Sequence, residues 1–390
     1  MIYLQIIFWL SFAAIAHTYV LYPIVLSVLA KSKKGNQTKY TIADDLPSVA
    51  VLLAVYNEEM VIEQKIIKTF VTDYPKEKIK LYIGSDASTD RTEQIVMKLQ
   101  NEYPQIIFKK FEGRSGKIKI INELAKIASE EIFILTDANV IFKATTIFEM
   151  IKHFKNKEID LVGGNIQNKR IKRDGISVQE KSYLFRETEI KHKEGLVWGS
   201  MIGAFGGVYS IRKEAFDEVP SNYFVDDFYI TMHVLERGGK VITELDSVSY
   251  EDVSNKVSEE FRRKVRISIG NFQNLARFKK LLFPPFNGLA FAFLSHKVFR
   301  WLGPFFIILM LVSSAILAPN SVFYRLLFFG QLFFIMLSII DFLLRKIRIH
   351  ILSLRFLSHF YLMNLALLTG FFKYIFGTGN NIWQPTKRNQ

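Results

Sequence analysis

The sequence predicts an α/β domain, an open sheet covered by helices, inserted between N-terminal and C-terminal transmembrane helices. Three observations carry that reading. Residues 3–30 and about 286–376 form long apolar stretches, each with enough length to enter or cross a bilayer. Between them, short apolar runs alternate with charged helical segments, the pattern of strands and helices taking turns. Asn57, Asp86 and Asp137 each fall just beyond an apolar run, where ligands bind in open α/β sheets. One such residue would be an ordinary helix-initiating side chain. Three in step along successive strands imply a shared site.

Residues 1–30 read as an uncleaved anchor. No basic residue precedes the apolar run, whereas Lys31, Lys33 and Lys34 follow it, so the positive-inside bias puts its C-terminal side in the cytoplasm. Residues 31–47 form a polar linker into the domain at 48–258. Ser48–Tyr56 (SVAVLLAVY) is nearly continuous apolar sequence, as a buried parallel strand requires, and Glu58–Phe70 reads as the helix after it. Lys80–Ile83 and the helix Thr92–Asn101 repeat the unit, then Ile106–Lys109 with the helix Lys117–Ala128. Strand Ile132–Leu135 runs directly into TDAN (136–139), and Leu161–Asn165 precedes a charged helical region over 178–194. Residues 199–216 (GSMIGAFGGVYSIRKEAF) place four glycines beside an apolar run; either a tight turn between crowded strands or backbone packed around a ligand would need them.

Residues 259–300 read as amphipathic interface helices, 301–376 as a C-terminal membrane region and 377–390 as a tail. Within the membrane region 322–344 is the stronger span, while His350, Arg355, His359, Asn364 and Lys373 make 351–376 a poor one. The net charge of +14 collects beside the apolar stretches, which fits anionic lipid headgroups and a phosphorylated substrate. Flanking positions of this kind, without a recognised module, speak against nucleic-acid binding. The chain has no cysteine, which excludes disulfides, thiol catalysis and thiolate metal sites.

TDAN offers a carboxylate and an amide oxygen two residues apart, hard donors suited to Mg²⁺ or Mn²⁺ with a diphosphate completing the shell. Together with the earlier segments it resembles the membrane-bound family 2 glycosyltransferases, the group of cellulose, hyaluronan and poly-N-acetylglucosamine synthases. AVYNEE (54–59) is similar to their first nucleotide-binding motif, which assigns Ala54, Tyr56, Asn57 and Glu59 to the donor; GSDASTD (84–90) is similar to the second, with Asp86 on the nucleoside. RSGKIKIIN (114–122) resembles their Arg-x-Gly-Lys element and brings Lys117 to the diphosphate. TDAN resembles the metal motif, with Asp137 and Ala138 at the donor, Asp137 and Asn139 on the ion, and Asn139 where a second Asp is usual. Gly203, Ala204 and Phe205 would line the acceptor site with Asp226, and VDDFYI (225–230) would supply the general base, Asp227.

The resemblance implies a GT-A fold, a cytoplasmic catalytic domain at the inner (plasma) membrane and inverting transfer. The donor would be a nucleotide sugar, a UDP-sugar by family pattern although a GDP-sugar fits the motifs; the acceptor would be a saccharide or a lipid-linked one, for exopolysaccharide or cell-envelope glycan. The Gln-x-x-Arg-Trp helix of processive synthases maps onto EFRRKVRISIGNFQ (260–273): Arg266 keeps the arginine, a charge for the leaving diphosphate, while Arg263 and Ile267 stand in for Gln and Trp. Without that aromatic platform, transfer of one or a few sugars is expected over polymerisation with coupled secretion. A noncatalytic role in a polysaccharide complex is disfavoured by intact Lys117, Asp137 and Asp227. HKVFRWLGP (296–304) and IWQPTKR (382–388) are also similar to family elements, and a cytoplasmic tail requires that 351–376 not make a simple crossing. The few spans form a path within one chain or call for a membrane partner subunit.

Overall fold

The computed structural model describes residues 1–169, 176–252, 256–347 and 349–377. The tail motif at 382–388 and Arg348 lie outside the described residues. The chain separates into two compact units, one made of 1–28, 176–182 and 256–377 and the other of 29–169 and 183–252.

In chain order the elements are α1 (Ile2–Ala16), α2 (Tyr22–Ala30), β1 (Val49–Val55), α3 (Ile62–Phe70), β2 (Ile79–Ser85), α4 (Thr92–Glu102), β3 (Ile106–Lys110), α5 (Lys117–Ile127), β4 (Ile132–Thr136), β5 (Ile141–Phe142), α6 (Thr146–Ile151) and β6 (Ile159–Lys169). There follow α7 (Ser177–Trp198), β7 (Val208–Arg212), α8 (Asp226–Glu236), β8 (Lys240–Asp252), α9 (Val257–Phe278), α10 (Gly288–Ala292), α11 (Phe299–Trp301), α12 (Gly303–Leu317), α13 (Val322–Lys346) and α14 (Leu352–Phe376).

The larger unit is built on an eight-stranded sheet in the order β3-β2-β1-β4-β7-β6-β8-β5. Its first four strands are parallel. β7 then runs antiparallel to both β4 and β6. β1 reads as an unbroken apolar run because both of its faces are covered. Val49, Val51, Leu53 and Val55 share one core with Ile62, Ile66 and Phe70 of α3 and Val96 and Leu99 of α4. On the opposite face α5 lies so close to β2 that a Cβ at Gly84 would stand 2.3 Å from the Ile120 side chain. Register places Val55 beside Ser85 and Leu53 beside Thr136. The loops after β1, β2 and β4 therefore open at one edge of the sheet, as the sequence predicts.

Among the elements that depart from the sequence reading, α3 and β8 matter most to the site. α3 begins at Ile62 rather than Glu58, because the N–H groups of 57–59 donate to Ser88, to Thr92 at the start of α4 and to Asp90. β8, thirteen residues of alternating burial, has no counterpart in the sequence reading; its charged residues hide the strand.

Among the described residues, three helical stretches are long and apolar enough to cross a membrane: Ile2–Ala30, Gly303–Asn320 and Val322–Lys346. Their outer surfaces expose Leu10, Val28, Leu326 and Phe329, as lipid-facing helices do. Inside, Phe8, Leu317 and Tyr324 pack together and Trp9 Nε1 donates to the Tyr324 hydroxyl at 3.2 Å. α14 is not one of the three. It packs against the charged, amphipathic α9, with Phe272 and Phe371 rings 4.9 Å apart and Ser268 Oγ donating to Leu367 O at 2.8 Å. Gly370 permits that approach, since a Cβ there would stand 2.3 Å from Ser268 Cβ. At its other end Ser358 donates to the buried Asp341 of α13, which also pairs with Arg345 at 3.2 Å.

Candidate active site

The loops after β1 and β2 are tied to one another. Asn57 adopts a left-handed backbone, φ 52°, a conformation that Asn tolerates better than most residues. Its side-chain oxygen accepts from Thr89 N at 2.8 Å, its own N–H reaches Ser88 Oγ at 3.2 Å, and Glu59 N donates to Asp90 Oδ2 at 3.1 Å. Arg91 pairs with Glu59 at 3.1 Å. Ala54 lies in β1 and Tyr56 just after it. The Arg114 guanidinium covers the Tyr56 ring, 3.4 Å from its centroid.

Asp86 is buried and accepts from Ser115 N, from Gly116 N at 3.2 Å and from Arg114 Nε at 3.1 Å. Its carboxylate thus pins the RSGK turn onto the end of β2. Gly116, at φ 83°, carries the chain into α5. Lys117 is the first residue of that helix, so fixing the turn aims its side chain.

Lys117 Nζ donates to Asp137 Oδ1 at 2.8 Å and lies 3.8 Å from Asp226 Oδ2. The structure thereby joins three separately read motifs, RSGK, TDAN and VDD, through one ammonium. Burial disfavours its charge, but Asp137, Asp226 and Asp227 outweigh burial and hold its pKa above the ordinary lysine value. Asp226 and Asp227 open α8. A helix start ordinarily favours a carboxylate anion; at Asp227 desolvation and the neighbouring Asp226 prevail over Lys117 and Lys191 and push the pKa up to about 6.

The glycine-rich segment holds this pair in place. Gly206 lies against Asp227, for a Cβ there would come within 3.0 Å of Oδ2. Gly203, at φ 78°, passes so near the Phe228 ring that a Cβ would stand 2.5 Å from it. Ala204 N donates to Thr231 Oγ1 at 3.0 Å, and that hydroxyl donates to Asp227 O at 2.7 Å. Phe205 carries the Lys191 ammonium 3.4 Å from its ring centroid. Gly207 O accepts from Thr136 Oγ1 at 2.8 Å and Asp137 N at 3.3 Å, which joins the glycine-rich segment to TDAN.

Several side chains here escape sequence reasoning. Lys65 is fully buried beneath TDAN, donating to Thr136 Oγ1 at 2.8 Å and Val140 O at 2.6 Å and lying 3.5 Å from the Phe142 centroid. Its burial lowers its pKa well below the usual lysine range, against the pull of Asp137. A signal was present: Lys65 falls on the same helical stripe as Ile62, Ile66 and Phe70. Tyr209 is buried under the acidic group, and burial with Asp226, Asp227 and Asp137 raises its pKa. Asn139 Nδ2 donates to Glu251 Oε1 of β8 at 2.8 Å, a pairing no local pattern announces. Arg266, by contrast, is an exposed residue of α9 in the other unit.

A second acidic group, Glu149, Glu244 and Asp246, brings one carboxylate oxygen from each residue within 4.8 Å of the others, a spacing a divalent ion can bridge. Lys152 already pairs with Glu149, and His153 with Glu244 at 2.6 Å. None of the three was among the sequence-derived ligands.

Residues 50–219 match the glycosyl transferase family 2 model. They are a family 2 glycosyltransferase domain. The chain is 26% identical over 241 residues to the poly-β-1,6-N-acetyl-D-glucosamine synthase of Staphylococcus aureus (strain COL), 60% of this chain and 57% of that protein. It thus matches little more than half the length of these curated relatives. Similarity to the β-monoglucosyldiacylglycerol synthase of a Nostoc species is 26% over 161 residues, 41% of this chain and 34% of that one. The fold of the chain is that of a mannosyltransferase from Pyrobaculum calidifontis, solved with GDP-Man and Mn²⁺: TM-score 0.73 and 19% identity, covering 95% of this chain and 99% of that one. The α/β GT-A-like architecture flanked by apolar helices is therefore shared along nearly the whole chain.

Proposed function

We propose that this glycosyltransferase moves a sugar from a nucleotide-sugar donor, with inversion, onto a membrane-associated acceptor, a lipid-linked saccharide or lipid, adding one or a few units. The observation that carries this is the convergence of Lys117, Asp137, Asp226 and Asp227 at the open ends of the strands. A carboxylate with pKa about 6 is ionised at neutral pH yet basic enough to accept a proton as an acceptor hydroxyl attacks. Asp227 takes that proton, the hydroxyl oxygen bonds to the anomeric carbon, and the anomeric C–O bond breaks with its electron pair leaving on the diphosphate. An α-linked donor then gives a β product.

Lys117 offers positive charge to the departing diphosphate, which suits electrostatic stabilisation in a partly buried site. A divalent ion, Mg²⁺ or Mn²⁺, supplies further positive charge there when bound. Asp137 and Asn139 fit that ion: both are hard oxygen donors, Asp137 is partly exposed, and the Asn139 NH₂ is occupied by Glu251, leaving Oδ1 as the other edge of the amide. The loops of Asn57 to Glu59 and Asp86 would shape the nucleoside end of the site, and Gly203, Ala204 and Phe205 the acceptor side. Arg266 would add charge to the leaving group. The motifs favour a UDP-sugar, while the Pyrobaculum relative binds GDP-Man, so both donor classes belong in any test.

Lipid-proximal chemistry is supported by the three apolar helices and by the lysines at 31, 33 and 34 with Arg345 and Lys346. By the positive-inside rule those charges favour a catalytic unit on the cytoplasmic side of the plasma membrane, and the packing of α14 along α9 supports a tail on that same side. Ile267 at the position of the synthases' tryptophan supports short products. The experiment is a transfer screen on detergent-purified protein with UDP- and GDP-sugars, Mn²⁺ or Mg²⁺ and a membrane-lipid extract, products resolved by mass. A single sugar added to a lipid is expected; a long ladder would replace this reading by polymer synthesis, and no transfer with any donor would remove it.

A further inference from the structure

Asn139 stands where the cation site needs an oxygen, yet an amide presents oxygen on one edge and two N–H donors on the other. Nothing in the TDAN turn itself chooses between the edges. The choice comes from β8. Glu251 Oε1 lies 2.8 Å from Asn139 Nδ2, and a carboxylate only accepts hydrogen bonds. The amide must therefore turn its NH₂ to Glu251 and its Oδ1 away. Glu251 is held where it can do this, because β5 follows the turn directly and pairs with β8 at Ile141↔Tyr250 and Phe142↔Ser249. A flip of the amide would bring Oδ1 against the carboxylate and point N–H donors at the cation.

We infer that Glu251 is a positioning residue of the cation site, fixing the Asn139 amide so that Oδ1 is the edge offered to the metal. It rests on the reading of Asp137 and Asn139 as cation ligands. Residues that orient metal ligands in this way typically change metal affinity by about 10–100-fold when removed.

The test measures Mn²⁺ affinity of the detergent-purified full chain by the electron paramagnetic resonance signal of free Mn²⁺, with saturating UDP and, separately, GDP. Glu251→Ala is expected to weaken binding about tenfold or more, whereas Glu251→Gln, whose carbonyl still accepts from Asn139, recovers most of the affinity. In an Asn139→Ala background Glu251→Ala should add no further loss. Unchanged affinity in Glu251→Ala, equal loss in the Ala and Gln variants, or additive losses in the double variant would each overturn the assignment. Glu251→Met fills the volume without an acceptor and replaces the alanine variant if that one fails to fold. Failure of the parent protein to bind Mn²⁺ with either nucleotide overturns the cation site itself, and the inference with it; normal parent binding with an unaffected Glu251→Ala overturns the inference alone.

Discussion

Replacing Lys117 by methionine removes the cation that Asp137 and Asp226 share while keeping a side chain of similar length. At 2.8 and 3.8 Å the gross attraction is roughly 4–6 kcal/mol per pair at an effective dielectric of about 20, and less after solvent screening, since Asp137 is 40% exposed. The consequence appears in the acid pair. Lys117 is one of the charges that hold the Asp227 pKa down to about 6 against burial and Asp226. Losing a nearby opposite charge raises a carboxylate by about 1–3 units. The free-enzyme pKa is read from kcat/KM against pH. The wild-type acid limb is expected near pH 6; in Lys117→Met it should move up by about 1–3 units, together with a loss of rate at every pH. A lower rate with an unmoved acid limb would refute this electrostatic coupling.

Other expectations follow from the same contacts. Lys65→Met strands the buried Val140 carbonyl, which Lys65 now satisfies at 2.6 Å, so the catalytic unit should lose about 1–3 kcal/mol in denaturant unfolding; unchanged stability would show that the lysine is dispensable. Gly206→Ala forces the Asp227 carboxylate, 3.0 Å from the new Cβ, to move by a few tenths of an ångström. It should lower kcat more than it raises donor KM, and an unaltered kcat would mean that the carboxylate position is not critical. For Asp227 the folded state raises the pKa from 3.8 to about 6, so folding favours the protonated form and the wild type loses stability as pH rises through that window. Asp227→Asn should therefore be more stable than wild type above pH 6, by at most about 3 kcal/mol at about 1.4 kcal/mol per unit, and the advantage should vanish below pH 4; a constant difference across pH would contradict a buried, ionised Asp227.

Much of the sheet was legible because β1, β2 and β4 are covered on both faces and so declare themselves as apolar runs. The loops at their ends were legible for the same reason, since Asn57, Asp86 and Asp137 interrupt those runs. What the sequence hid depends on distant partners. Lys65 looks like a surface residue until Thr136 and Val140 are brought above it. Asp86 reads as a nucleoside contact, but its carboxylate is first of all the anchor of the RSGK turn. β8 alternates in burial but carries charged residues on it, Glu244 even on a buried position, so neither its existence nor the reach of Glu251 to Asn139 could be read locally. The polar residues of α14 make it a poor span, and its packing along α9 depends on Phe272 and Ser268, partners that no local pattern names.

Asp227 as the general base of sugar transfer is tested most directly by comparing Asp227→Asn with wild type in two assays on the same preparation, donor binding and transfer to the acceptor found in the lipid screen. Nucleotide-sugar binding within a few-fold of wild type, with transfer reduced by about 10²–10⁴-fold and no recovery at higher pH, is the predicted result. Transfer at the wild-type rate in Asp227→Asn would contradict it.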